Sequence, residues 1–341
     1  MFHTSLTKLS AVTLLALGLS APVMAQTVNF RVGHTSPAAA ESDDHVASLA
    51  LKEFIERESG GEISVRIFPA QQLGNAQQMV EQVNSGALDL VNTAALFLAP
   101  FLPELAIVEM PYLLDNDQVA EKFAKGPIVG HIRTEMQAKL PNVYVANLFN
   151  TGNWRSFYTS KPVQTAADLK GLKIRTVPAP LSIEFIKALG AQAVPLGWGD
   201  VYPSLQSGLI QGTGNAATDI VPAKLNEVVK FAIIDRHSYL LGANLVSKSF
   251  LDKLSAKHRD IVERGLAHMA ETQTKFNVSS EAGALERFKA SGGTVVIPTA
   301  AQLATFTPVR ETIVQWYKTT YGANGEKWIA AFQAAVAEAR K

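Results

Sequence analysis

Val28-Asn29-Phe30-Arg31-Val32, Ile63-Ser64-Val65-Arg66-Ile67 and Leu88-Asp89-Leu90-Val91-Asn92-Thr93 decide the fold class of this chain. In the first two, apolar residues alternate with polar ones, the period-2 pattern of a strand, and the third is a compact apolar strand. His34-Thr35-Ser36-Pro37 ends the first strand. Asp43 and Asp44 suit the cap of a helix whose buried side carries Val46, Leu49, Leu51, Phe54 and Ile55, with Gly60-Gly61 as its stop. Pro69 to Gly74 reads as a loop and Ala76 to Ser85 as a second helix. Strand, helix, strand, helix, strand predicts an α/β lobe on a largely parallel sheet.

A second α/β run opens near Tyr144. Its expected strands are Val145 to Phe149, Lys173 to Val177 and a short segment at Gln211 to Asn215. Its expected helices are Pro180 to Leu189, Val201 to Ser207 and one running through Ala223 and Val228. Phe231 to Ile234 reads as extended, and Asn244 to Ser247 as a return to the first sheet. Glu263 to Phe288 lacks proline and reads as one long helix, and Val295 to Ile297 as a last strand. Neither a repeat nor a low-complexity linker divides the chain. Segments that cross between two lobes more than once would make a shared hinge.

The start of the chain carries the marks of a secretory leader. Lys8 is basic, Leu9 to Leu19 is apolar with small residues, and Val23-Met24-Ala25 offers a cleavage site before Gln26. A membrane anchor is the alternative, but the apolar run is short for a span. A lipid-anchored start would need a cysteine, and there are 0. Without Lys8 the basic residues match the 30 acidic ones, so the mature chain is formally neutral. That balance excludes the basic stripe of a nucleic-acid binder. Stability must come from core packing instead of disulfides, which a chain of this size can supply.

Against this charge-balanced background, Gly152-Asn153-Trp154-Arg155 and Asp168-Leu169-Lys170-Gly171-Leu172-Lys173-Ile174-Arg175 place two arginines at the ends of short apolar segments. A guanidinium stays charged and presents a planar fork that matches a carboxylate. The pattern points to a binder of organic anions.

With further blocks, the stretch resembles a known family. These are Gly61-Glu62-Ile63-Ser64-Val65, Gln72-Leu73-Gly74, Gly86-Ala87-Leu88-Asp89-Leu90, Phe101-Leu102-Pro103-Glu104-Leu105, Met110-Pro111-Tyr112-Leu113-Leu114 and Val201-Tyr202-Pro203-Ser204-Leu205-Gln206-Ser207-Gly208. In this order they resemble the substrate-binding proteins of tripartite ATP-independent periplasmic (TRAP) transporters, of the dicarboxylate-binding DctP type. The resemblance implies an α/β, two-lobe periplasmic-binding-protein-like fold with hinge strands and a long lobe-spanning helix. It also implies a ligand in the cleft, closure of the lobes, and docking on membrane permease subunits driven by an ion gradient. The expected division is residues 1–25 as signal peptide, 26–150 plus 241–280 as lobe I, and 151–240 plus 281–341 as lobe II. The expected partners are a small organic acid and the permease, with no nucleic acid, no cofactor and no metal, for a monomer in the periplasm.

The resemblance gives Arg175 the ligand carboxylate and Arg155 a second ligand-facing role; the alternative for Arg155 is a structural ion pair. Asn215 matches the family amide, although Gln211-Gly212-Thr213-Gly214-Asn215-Ala216 keeps only the glycine and asparagine of the usual segment. Trp198 is expected to wall the cleft, and Trp154 either to do the same or to pack in the core. His34, at a strand end where α/β ligand sites gather, either donates to a ligand or is structural. His237 reads as structural. No nucleophile elbow, phosphate loop, zinc-protease motif or calcium loop occurs. The expected output is therefore receptor, with delivery to a sensor or an unrecognised periplasmic enzyme as the rivals. Two arginines would suit a four-carbon dicarboxylate, a keto acid or a sugar acid.

Overall fold

A computed structural model describes Met1 and residues 27–341. The leader expected over residues 1–25 lies, Met1 aside, outside the described residues. The first run is β1 (Val28–His34), α1 (Asp43–Glu58), β2 (Ile63–Phe68), α2 (Ala76–Ser85) and β3 (Leu90–Ala94). Helices α3 (Asp117–Lys125) and α4 (Ile128–Lys139) lead into β4 (Val143–Thr159). The second run is β5 (Lys173–Thr176), α5 (Pro180–Ala188), β6 (Gln192–Pro195), α6 (Val201–Gln206), β7 (Gly212–Asn215) and α7 (Ala217–Ile220), followed by β8 (Phe231–Ser247). The chain ends with α8 (Lys248–Leu251), α9 (Ala256–Ala290), β9 (Thr294–Val296), α10 (Ala300–Leu303) and α11 (Val309–Ala339).

The strands lie in the order β2-β1-β3-β8-β4-β7-β5-β6, with β9 beside β8. β1 is parallel to β2 and β3, and β5 is parallel to β6 and β7, as two α/β runs require. The antiparallel 17-residue strands β4 and β8 join them. One end of β8 pairs with β3, and the other end of β4 pairs with β7. Both long strands therefore belong to two lobes at once. The expected strands at 231–234 and 244–247 are one strand, and the strand expected at 145–149 continues to Thr159.

That crossing has a local cause. The β4–β8 register breaks between Asn150 and Trp154. The Asn150 Oδ1 accepts from the backbone N–H groups of Gly152 (3.0 Å) and Asn153 (2.7 Å), turning the strand upon itself. Gly152 has φ 129°, and a Cβ there would lie 2.8 Å from the Ala216 Cβ and 3.0 Å from Leu240 Cδ1. Only glycine fits both the dihedral and the gap.

Helix α9, about 52 Å long at 1.5 Å per residue, spans both lobes. Leu266 and Met269 pack with Leu51 and Ile55 of α1, while Ala284 and Phe288 pack with Tyr158 and Leu225. Between them Gln273 and Asn277 are fully buried and face the crossing, where the Asn277 Nδ2 donates to the Asn150 carbonyl at 3.3 Å. The C-terminal α11 packs against α3 and α5, bringing Trp328 and Phe332 into one core with Phe123 and Phe185.

Three local expectations are corrected. Ser42, not Asp43 or Asp44, precedes α1, and both aspartates lie in its first turn with their carboxylates turned inward. Leu49 is 48% exposed, because α1 buries the Ala47, Leu51 and Ile55 stripe. The helix expected through Ala223 and Val228 stops at Ile220, and Lys224 at φ 59° would break any continuation.

Gly152→Ala is expected to lower the unfolding free energy by about 2–4 kcal/mol, combining a left-handed dihedral with overpacking. Urea denaturation measures it, and an unchanged midpoint would contradict the crossing geometry.

Candidate functional site

The first run delivers the loop after β1 and the N-terminus of α1 to the crossing, and the second delivers β5 and β7 to its other side. Between them lies a chamber of about 60 Å³, walled on one side by Ser36, Asp43, Asp44 and Thr151, and on the other by Arg175, Trp198, Asn215 and Asp219. Thr35, Phe97 and Trp198 are shared with an adjoining mouth of about 370 Å³. A separate cavity of about 670 Å³ runs between α3 and α9, walled by Leu148, Phe149, Tyr239 and Val278, but neither Arg155 nor Arg175 lines it.

Arg175 stands on β5, with Thr213 of β7 and Val194 of β6 as its strand neighbours. It is 2% exposed. Its Nε and Nη2 donate to the Leu196 carbonyl at 3.0 and 2.9 Å, and its Nη1 donates to no group among the described residues. No carboxylate among the described residues pairs with it. Burial, reinforced by the charge of Arg155, pushes its pKa down to about 9, which still leaves it cationic at neutral pH. A desolvated cation held only by a carbonyl gains from an incoming anion.

Arg155 has already met its anion. Its Nε and Nη2 donate to Glu109 at 2.8 and 3.3 Å, and its Nη1 donates to the Gly214 carbonyl at 2.8 Å. Both side chains are under a tenth exposed. The guanidinium does line the chamber, but its charge is matched by Glu109. Of the two expectations for it, a ligand-facing arginine or a structural ion pair, the ion pair is present, joining β4 to the segment Pro103–Glu109.

The chamber also holds three carboxyl groups, Asp43 and Asp44 on the wall opposite Arg175 and Asp219 on its own, none paired with a cation among the described residues. Asp43 accepts from the Thr151 hydroxyl (3.1 Å) and the amides of Gln273 (2.8 Å) and Asn277 (2.9 Å). Asp44 accepts from the Ser36 hydroxyl and Gln273 amide, both at 2.8 Å. Burial, then the charge of Asp43, holds the Asp44 carboxyl well above the usual carboxylate range. The same two causes push Asp219 up to about 6. Sequence reasoning missed Glu109 and Asp219, and read the aspartate pair only as a helix start. The one local signal is that Asp219 follows Asn215 by four residues, at a helix start.

Asn215 lines the chamber as expected, but its amide is engaged within the protein: Oδ1 accepts from Thr213 Oγ1 at 2.6 Å and Nδ2 donates to Asp219 at 3.0 Å. Trp198 is half-buried over the chamber, its ring centroid 6.0 Å from the Arg175 guanidinium carbon, within cation–π range. Trp154 is corrected to a packing residue. Successive strand side chains point to opposite faces, so with Arg155 toward the chamber, Trp154 faces α3. There its indole donates to Asp117, its ring meets Tyr239 edge-on, and Arg236 stacks over it at 4.9 Å. His34 is corrected likewise. It shares the face of Phe30 and Val32, which pack under α1, and its Nε2 lies 3.2 Å from Nδ1 of His45 on that helix. Burial pushes its pKa down to about 3, leaving it neutral, while its neighbour Thr35 lines the chamber instead. His237 sits against Asp235 at 2.9 Å and packs on Phe157.

The family model described as bacterial extracellular solute-binding protein, family 7 (DctP), matches residues 33–320. The chain is 27% identical over 253 residues to the 2,3-diketo-L-gulonate-binding periplasmic protein YiaO of Escherichia coli K12, covering 74% of this chain and 76% of that one. It is 31% identical over 255 residues to the ectoine/5-hydroxyectoine-binding periplasmic protein UehA of Ruegeria pomeroyi, covering 74% of each. A crystal structure of a TRAP periplasmic solute-binding protein from Desulfovibrio salexigens, with bound orotic acid, superposes with a TM-score of 0.85 at 25% identity, covering 92% of this chain and 100% of that one.

Two consequences of the charge arrangement are measurable. Glu109→Ala strands the buried Arg155 cation and is expected to cost about 3–5 kcal/mol in chemical denaturation. Asp219 takes up its proton near pH 6 when folded and near 3.8 when unfolded. The folded state binds more protons in that window, so this contribution is present below it and is lost as pH rises through about 6. Asp219→Asn is therefore expected to stabilise the ligand-free protein at pH 8 by about 1–2 kcal/mol. The gain over wild type should shrink to nothing by pH 4, as read from denaturation midpoints across that range.

Proposed function

The chain belongs to family 7 of the bacterial extracellular solute-binding proteins, and from that premise we propose that it is a receptor binding a small organic carboxylate on Arg175. The observation that carries this reading is a nearly fully buried guanidinium on a chamber wall with no carboxylate of its own. The names of relatives fit the same chemistry: diketogulonate, orotic acid and ectoine each bear a carboxylate group. A TRAP-type secondary transporter is the recipient, and the protein itself releases the solute unchanged.

The chamber walls come from both α/β runs, on either side of the β4–β8 crossing, so a ligand filling it touches two lobes. Those contacts exist only when the lobes are together, and this differential affinity is what shifts the population toward the closed form. The membrane subunits of the transporter then meet a surface that differs between empty and loaded receptor. We retain residues 26–150 plus 241–280 as lobe I and 151–240 plus 281–341 as lobe II, with α11 leaning on both. The leader would be removed near Ala25, leaving a periplasmic monomer. Family membership supports the extracytoplasmic location, and among the described residues no helix is long and apolar enough to cross a membrane.

Arg155 is matched by Glu109, so the reading does not extend to a four-carbon dicarboxylate held between two free arginines. In a thermal-shift panel of keto, sugar and amino acids, Arg175→Ala is expected to lose the stabilisation given by the best ligand. The loss of affinity should be about 2–5 kcal/mol, since the ligand carboxylate stays desolvated and unpaired. The variant's own unfolding transition should remain cooperative. An undiminished shift in Arg175→Ala would refute the assignment.

A further inference from the structure

The chamber holds more negative charge than carboxylate recognition needs. Once Arg155 is cancelled by Glu109, Arg175 is its one free cation among the described residues, and it shares the chamber with Asp43, Asp219 and the Asp44 carboxyl, whose neutral form burial favours. The three acids come from different parts of the fold: α1 supplies two and α7 the third. Their partners are all neutral donors, from Ser36, Thr151, Asn215, Gln273 and Asn277. Neutral amides orient a carboxylate without discharging it. Among the described residues no group of acids and histidines converges closely enough to hold a metal ion. A bare cation at one point is thus a poor match for carboxylates spread around a wall.

Arg175 makes this wall part of a ligand site and not merely an acidic cluster. It is 2% exposed, its Nη1 is unpartnered among the described residues, and it lines the same chamber. A diacid entering here would satisfy Arg175 with one carboxylate and drive the other toward Asp43 and Asp219. A neutral tail would leave those acids desolvated and unpaired. A molecule with its carboxylate at one end and a cationic nitrogen at the other can offer the first to Arg175 and the second to Asp43 and Asp219.

Resting on the carboxylate-receptor reading above, we infer that the ligand is a zwitterion, whose carboxylate binds Arg175 and whose cationic nitrogen is held by Asp43 and Asp219. Selection then works by repulsion as much as attraction: the acids reject the second carboxylate of a dicarboxylate. Asp44, the most deeply placed of the three and hydrogen-bonded to Ser36, supports the pair instead of meeting the nitrogen directly.

The test is calorimetric titration of two isosteric trios, in which one end of the acid is changed from ammonium to methyl to carboxylate. They are β-alanine, butyrate and succinate, and 4-aminobutyrate, pentanoate and glutarate. The proteins are wild type, Asp43→Asn, Asp219→Asn and Arg175→Ala. Asparagine can still accept the hydrogen bonds of Thr151 or Asn215, so both charge variants keep their local contacts.

In at least one trio the ammonium acid is expected to bind wild type ten-fold or more tightly than both partners. Either Asp→Asn variant should erase most of that preference and raise affinity for the diacid. Tighter wild-type binding of a diacid, or a preference unmoved by both variants, would overturn the proposal. So would failure of all ammonium acids while a keto or sugar acid binds. That last result, if lost in Arg175→Ala, leaves the carboxylate reading standing; binding undiminished in Arg175→Ala overturns that reading too.

Discussion

The Arg175 guanidinium is buried against the Leu196 carbonyl, and among the described residues no carboxylate neutralises it. Everything around the chamber bears on that unmet charge. β5 carries it on a strand held on both sides by β6 and β7, so the fork is fixed before any ligand arrives. Pre-fixing matters because a side chain that must be ordered on binding spends part of the interaction energy on its own entropy. The nearest cation, Arg155, is prevented from doubling the positive charge by its bidentate contact with Glu109. The result is a single anion socket.

The hinge solves a second problem with polar chemistry. Two long strands must run through both halves of one continuous sheet while changing register, and their backbone groups must stay satisfied in a buried place. Asn150 does this from β4, and Asn153 and Asn277 tie the turn to α9. The same helix carries Gln273, which also reaches Asp43 and Asp44. The chamber's acidic wall is thus built onto the crossing itself.

Much of this was legible in the chain. Alternation at Val28, Phe30 and Val32 and at Ile63, Val65 and Ile67 gave two parallel strands in the right order, and the proline-free stretch from Glu263 gave the spanning helix. Arg175 was legible because it ends a short strand within a recognisable motif. Arg155 was misleading for a physical reason: Glu109 lies 46 residues earlier in a 3-10 segment, and no local pattern announces such a pair. Trp154 and His34 each carried a packing or structural alternative, and strand alternation decides for it by sending both to the face away from the chamber, while Thr35 lines it. The aspartates of α1 looked like a helix start and are one. Their second role appears only when tertiary structure sets that helix start across from Asp219.

The most direct test of the central claim is a crystal structure of the receptor with ligand retained from its source or restored by soaking. The account predicts electron density for a carboxylate within about 3 Å of the Arg175 guanidinium nitrogens, at hydrogen-bonding distance, with Glu109 still on Arg155. A ligand held elsewhere, with Arg175 touching only the Leu196 carbonyl, would contradict it.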